Sequence, residues 1–307
     1  MAVAPYVDIT LHTVPDLGRL PARGIDVVNL AFVTAQGQAC RPAWGGVLRY
    51  DDPEVLARVR RLRAAGGDAR VSFGGQSAHE LALTCPTPEP LAAAYGQVVD
   101  ALQVTLIDLD VEGRTLTDAA AVHRRNLAVR LLQTAAQQRG RPLRISYTLP
   151  ADSDGLTNPA RALLRDARDT GVHVDVVNAM TMDMGTQEDL ATASISSAEG
   201  VERFLRGLEG AGNAEAWGRI ALTPMIGRND VPDEVFRLQD AARLADFARR
   251  HGLAWISFWS LNRDQACGAG TPPTTASPGC SGVLQQPGEY TSTFAGRSDP
   301  GTSARDR

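Results

Sequence analysis

The sequence predicts an α/β protein built as a single-domain (β/α)8 TIM barrel. Eight apolar, β-branched runs recur along the 307 residues, and most gaps between them carry apolar residues at three-to-four spacing. One barrel of roughly 250 residues plus an extension fits that length. A doubly wound sheet is the alternative, but it needs a glycine-rich phosphate loop after its first strand. No GxGxxG, GxxxxGK[ST] or GxSxG occurs.

The predicted strands, in order, are 6–10 (YVDIT), 25–33 (IDVVNLAFV), 69–75 (ARVSFGG), 102–111 (LQVTLIDLDV), 143–149 (LRISYTL), 172–182 (VHVDVVNAMTM), 218–227 (GRIALTPMIG) and 253–261 (LAWISFWSL). Helices are predicted at 53–67, 118–140 and 233–252, with glycine at their C-terminal ends. Periodicity stops near residue 265. The chain therefore divides into a barrel, 1–265, and a C-terminal loop extension, 266–307, whose last ten or so residues are polar and expected to be disordered.

Net charge is −4, with no basic stripe, so neither nucleic acid nor a membrane surface is an expected partner. No apolar stretch reaches the ~18 residues of a membrane span. All 31 cationic side chains are arginine, which excludes a Schiff-base lysine or a P-loop lysine. Four cysteines form no CxxC pair, and no metal or cofactor is expected. Of the three possible pairings we favour Cys40–Cys85 with Cys267–Cys280. The second bridge would staple the loop GAGTPPTTASPG, worth about 3 kcal/mol in the chain-entropy model. The N-terminus, MAVAPYVDIT, carries no secretory leader.

The chemistry concentrates at the end of the fourth predicted strand, Asp108-Leu109-Asp110-Val111-Glu112-Gly113. Side chains alternate along a strand, so Asp108, Asp110 and Glu112 share the face that in a barrel points inward, at spacings of about 7 Å. Two such charges repel by roughly 2.5 kcal/mol at an effective dielectric near 20. At least one of the three is expected to hold a proton at neutral pH, as general-acid work requires. Glu112, nearest the mouth, is the expected proton donor; Asp110 reaches both neighbours; Asp108 is the deepest. Carboxylate rows also bind Mg²⁺ or Ca²⁺, but no second cluster with ligand spacing accompanies this one.

LIDLDVEG resembles DGxDxDxE, the catalytic signature of glycoside hydrolase family 18, with Thr105 and Leu106 in place of the opening Asp-Gly. Ser72-Phe73-Gly74-Gly75 matches the family's SxGG on the preceding strand, where Ser72 can bond a buried acid and Gly74 and Gly75 allow close backbone approach. VNAMTMDMG (177–185) is similar to the sixth-strand MxYD motif, with Met180 and Asp183 matching and Met182 at the tyrosine position. A thioether cannot donate a hydrogen bond, so Tyr147 is an expected substitute donor. ISYTLP, TPMIGRND and FWSLNRD resemble a bacterial and archaeal chitinase branch.

The resemblance implies a retaining, substrate-assisted chitinase with Glu112 as acid/base. Asp110 would steady an oxazolinium intermediate, with Asp108 beneath it. Trp259 is then the platform under the sugar, with Trp255 as core, and Asp183 reaches the same sugar. Asn229, Asp230, Asn262 and Arg263 lie in mouth loops and are candidates to line the cleft. The implied substrate is chitin or chitooligosaccharides, acted on outside the cell by a monomer. An N-glycan-cleaving endo-β-N-acetylglucosaminidase and a non-catalytic chitin-binding lectin on the same fold are the alternatives.

Overall fold

The computed structural model describes residues 2–297, apart from 77, 78, 187, 211 and 269–274. The expected disordered tail lies outside the described residues. Eight parallel barrel strands fall on the eight predicted segments, the first reaching back beyond 6–10 to Ala2. They are β1 (Ala2–Val3 and Tyr6–Asp8), β2 (Val27–Ala35), β3 (Asp68–Gly74), β4 (Leu106–Asp110), β5 (Arg144–Asp152), β6 (Val176–Met180), β7 (Ile220–Thr223) and β8 (Trp255–Ile256). Each pairs in parallel with its sequence neighbour from β2 to β8. The split first strand closes the ring: Ala2–Val3 pairs with β8, and Tyr6–Asp8 pairs with β2. Pro5, which has no N–H to give a ladder, sits at the break.

The outer layer holds α1 (Pro53–Ala64), α2 (Pro88–Leu102), α3 (Ala119–Gln138), α4 (Asn158–Asp169), α5 (Leu190–Glu209), α6 (Leu238–His251) and α7 (Glu289–Phe294). Local chemistry starts them where it should. Asp52, Asp118, Thr157 and Asp189 cap α1, α3, α4 and α5 by accepting from backbone N–H groups of the first turn. Proline opens α1, α2 and α4. The predicted helix 233–252 begins later, at Leu238, because Val235–Phe236 pairs antiparallel with Gly227–Arg228 and extends the β7–α6 connection into a hairpin.

The described part of the C-terminal extension packs into this layer. Tyr290 and Phe294 are fully buried, and the Phe294 ring stacks on Phe258 at 5.2 Å. Both disulfides take the favoured pairing, Cys40–Cys85 and Cys267–Cys280.

Between strands and helices, behind β3 and β4, lies a buried ion pair. Arg125 of α3 meets Glu80 at 2.5 Å, and Tyr95 of α2 donates to the same carboxylate at 3.3 Å. Glu80 ends the loop that leaves β3. Breaking such a pair on one side leaves a buried charge without its partner. Arg125→Met is expected to lower unfolding free energy by about 3–5 kcal/mol in urea titrations, and Arg125→Met combined with Glu80→Leu to recover most of that loss.

Candidate active site

The barrel interior is layered, and its middle layer is polar. Ser72 of β3 and Ser146 of β5 stand directly across from Asp108 in the sheet register. The Asp108 carboxylate, 1% exposed, accepts from Tyr6 Oη (2.8 Å) and Ser72 Oγ (2.6 Å) on one oxygen. It accepts from Ser146 Oγ (2.7 Å) and Thr148 Oγ1 (2.8 Å) on the other. Thr148 is in turn bonded by Asn178 Nδ2 at 2.9 Å, whose Oδ1 accepts from Thr223 at 2.8 Å. Burial raises the Asp108 carboxyl above its ordinary value, and the four hydroxyls pull it back toward the ionised form.

Asp110 sits one layer nearer the mouth in a different environment. It is buried, its Oδ1 has no hydrogen-bond partner, and it lines the cleft. Its carboxyl is pushed well above the ordinary range by burial first, then by the Glu112 charge, by a hydrogen bond shared with Glu112 and by Asp108. Glu112 is raised too, by burial, but the bond from Asp110 holds it down. Asp183 adds a smaller upward push. Both carboxyls are raised, in keeping with a proton held on this pair.

The glycines act through space. A Cβ on Gly74 would lie 2.0 Å from the Asp110 carbonyl oxygen, and one on Gly75 would lie 2.7 Å from the Phe32 ring. Gly75 N donates to that Asp110 carbonyl at 3.1 Å. The SFGG tetrapeptide thus lets β3 press against the strand that carries the acids.

The cleft above has a volume of about 350 Å³. Trp259 forms one wall, its ring stacked on Phe32 at 5.5 Å, with Met180, Met182 and Met225 nearby. Trp255, four residues earlier in β8, is buried and covered by the Arg70 guanidinium at 3.9 Å, as core. Asp183 lines the cleft with left-handed backbone (φ 52°), held by Val231 N–H on its carboxylate at 2.9 Å. It caps no helix, since Asp189 caps α5.

Three expectations are corrected. Tyr147 does not face the cleft: it lies between Ser146 and Thr148 on β5, so alternation turns it into the helix layer, where its hydroxyl donates to Asn126 at 2.5 Å. Asn229 is buried and gives its amide to the Met225 and Gly227 carbonyls while accepting from Asp183 N–H. It supports Asp183 from behind. Asn262 and Arg263 are likewise spent on backbone: Asn262 bonds both polar groups of the Asp8 main chain, and Arg263 bonds the Ile226 carbonyl at 2.9 Å. Of the mouth-loop candidates, Asp230 does line the cleft.

Sequence reasoning missed Tyr6, Ser146, Thr148 and Asn178. Their signal was present: each is a polar residue at an inward position of an apolar strand, at the height of Asp108.

No protein-family model matches the chain. It is 35% identical over 283 residues to a probable bifunctional chitinase/lysozyme of Escherichia coli K12, and 34% identical over 275 residues to endochitinase 11 of Metarhizium anisopliae. Those alignments take in 88% and 85% of this chain but only 32% and 52% of the relatives' own lengths. The catalytic domain of a hyperthermophilic chitinase from Pyrococcus furiosus superposes with a TM-score of 0.85 at 31% identity, covering 96% of this chain and 93% of that one. A family 18 chitinase from Pseudoalteromonas aurantia shares the fold at a TM-score of 0.63 and 14% identity.

The chain belongs to the family 18 chitinases. In this chain the environment of Asp110 carries a stability signature. A carboxyl whose folded-state pKa is raised binds its proton more tightly folded than unfolded. Stability then falls as pH rises from the ordinary carboxylate range through the folded value. Asp110→Asn removes that cost. The variant is expected to melt about 2–4 °C above the parent at pH 8, with the gap closing toward pH 4 in thermal scans.

Proposed function

We propose that this chitinase cleaves β-1,4-linked N-acetylglucosamine chains, chitin or chitooligosaccharides, with retention and with the substrate's own acetamide as nucleophile. The supporting observation is that Asp110 and Glu112 line one cleft side by side from the end of β4, with the Glu112 charge raising the Asp110 carboxyl. Two-carboxylate glycosidases set their acids on opposite sides of the anomeric carbon, about 5–5.5 Å apart, or about 6.5–9.5 Å when they invert. Two acids side by side on one strand end act as one acid–base unit, which leaves the nucleophile to the sugar.

In this reading the acetamide N–H binds the Asp110 carboxylate at the cleft floor. Asp110 becomes the better anion, and the shared proton passes to Glu112. Glu112 gives it to the glycosidic oxygen as the C1–O bond breaks, and the acetamide oxygen closes on C1. The resulting oxazolinium charge faces ionised Asp110, which Asp108 supports from below. Water then attacks C1, loses its proton to Glu112, and reopens the ring with the original configuration. Trp259 offers a flat apolar face to the sugar, and Asp183 a hydroxyl acceptor.

The Pyrococcus furiosus enzyme has been described with chito-oligosaccharides bound to catalytic-site mutants, which supports the substrate class. Two disulfides support action outside a reducing compartment. Only four large apolar side chains are exposed among the described residues, which supports a monomer.

Glu112→Gln keeps shape and removes the proton donor. Its kcat on chitooligosaccharides, read by mass-resolved products, is expected to fall by about 10²–10⁴. A folded variant with parental turnover sinks the assignment.

A further inference from the structure

Glu234 is a buried carboxylate that the chemistry above does not use. It is not among the described residues that line the cleft. Its side chain reaches from the 227–236 hairpin to the loop that follows β6. One oxygen accepts from Met184 N–H at 3.2 Å and the other from Thr186 N–H at 3.1 Å.

Asn229 stands opposite Glu234, just past the paired ends of the hairpin, and its N–H donates to the Glu234 carbonyl at 3.0 Å. The Asn229 Oδ1 accepts from Asp183 N–H at 3.2 Å. Three main-chain N–H groups of 183–186 thus end on two side chains of one hairpin. The hairpin is anchored from its far side. Arg228 N–H donates to the Ser281 carbonyl at 2.8 Å, and Arg263 bonds the Ile226 and Arg228 carbonyls.

Asp183 needs such a hold. Its left-handed backbone is one that a non-glycine residue keeps only where its surroundings impose it. The residue type at 234 fits the task. A carboxylate offers an accepting oxygen to each N–H, whereas glutamine offers one and sets its NH2 against the second N–H. The place of Asp183 matters to the acid. Glu112 is raised by burial first, lowered by its bond with Asp110, and raised again by the Asp183 charge. Asp183 has Asp230 and Arg263 as its own charged neighbours.

Resting on the reading that Glu112 cleaves chitin chains, we propose that Glu234 is a positioning residue for that reaction. Through Met184 and Thr186 it fixes where Asp183 stands relative to Glu112.

The test takes Glu234→Gln, Asp183→Asn and the double variant through kcat/KM against pH on chitooligosaccharides. Glu234→Gln is expected to lower kcat/KM about 10-fold, as a small misplacement near the reacting groups does. It should also move the alkaline limb to lower pH, because a displaced Asp183 charge no longer helps Glu112 keep its proton. Asp183→Asn should move the limb the same way. The double variant should be no worse than Asp183→Asn, since the loop then has no charge left to place. Amide exchange at Met184 and Thr186 should quicken in Glu234→Gln while the barrel strands keep parental protection.

Parental kcat/KM with an unmoved limb in Glu234→Gln overturns the proposal and leaves chitin cleavage intact. So does a double variant whose loss is the product of the two single losses. Lost protection across the barrel strands assigns Glu234 to stability alone and overturns it too. No turnover by folded parent overturns both this proposal and the chitin reading.

Discussion

The carboxylate of Asp108 is the constraint around which the barrel interior is arranged. An acid at the centre of eight strands must be surrounded by donors, because an unsolvated charge there costs more than a fold of this size can absorb. Tyr6, Ser72, Ser146 and Thr148 supply those donors from three strands, and Asn178 and Thr223 orient Thr148 from two more. The middle layer of the barrel is consequently polar and rigid, while the layers behind the strands remain apolar.

That rigidity sets up the contrast above it. Asp108 and Asp110 are two residues apart on one strand and share a face, yet four donors meet the first and the second keeps an oxygen unpaired. Pairs of titratable groups whose surroundings push them apart mark acid–base roles. Gly74 makes the contrast possible, since a side chain there would collide with the Asp110 main chain and lift β4 away from its neighbour.

Much of this was legible in the sequence, and the reasons are local. Period-two alternation at 108–112 placed three acids on one face, and apolar runs at regular intervals located all eight strands. The Ser72 bond to Asp108 followed from residue chemistry plus strand adjacency. The failures came from information that alternation alone does not hold. Tyr147 was assigned by hydroxyl chemistry when its parity on β5 turns it outward. Asn229, Asn262 and Arg263 sit in loops, where no period says whether a polar side chain faces solvent or its own backbone. Val235–Phe236, one side of the hairpin at 227–236, falls inside the predicted helix 233–252, because each hairpin strand is only two residues long.

The broken first strand has a consequence for how the molecule is made. Tyr6 and Asp8, both at the cleft, belong to a segment whose two halves are held by β2 and by β8. Residues 255–256 leave the ribosome long after Ala2–Val3, and only then can Ala2–Val3 find a partner. Until that point the nascent chain carries its acids without an enclosed pocket around them. The ring closes by a seam between its first and last strands, so any chain ahead of residue 2 must leave that seam free to form.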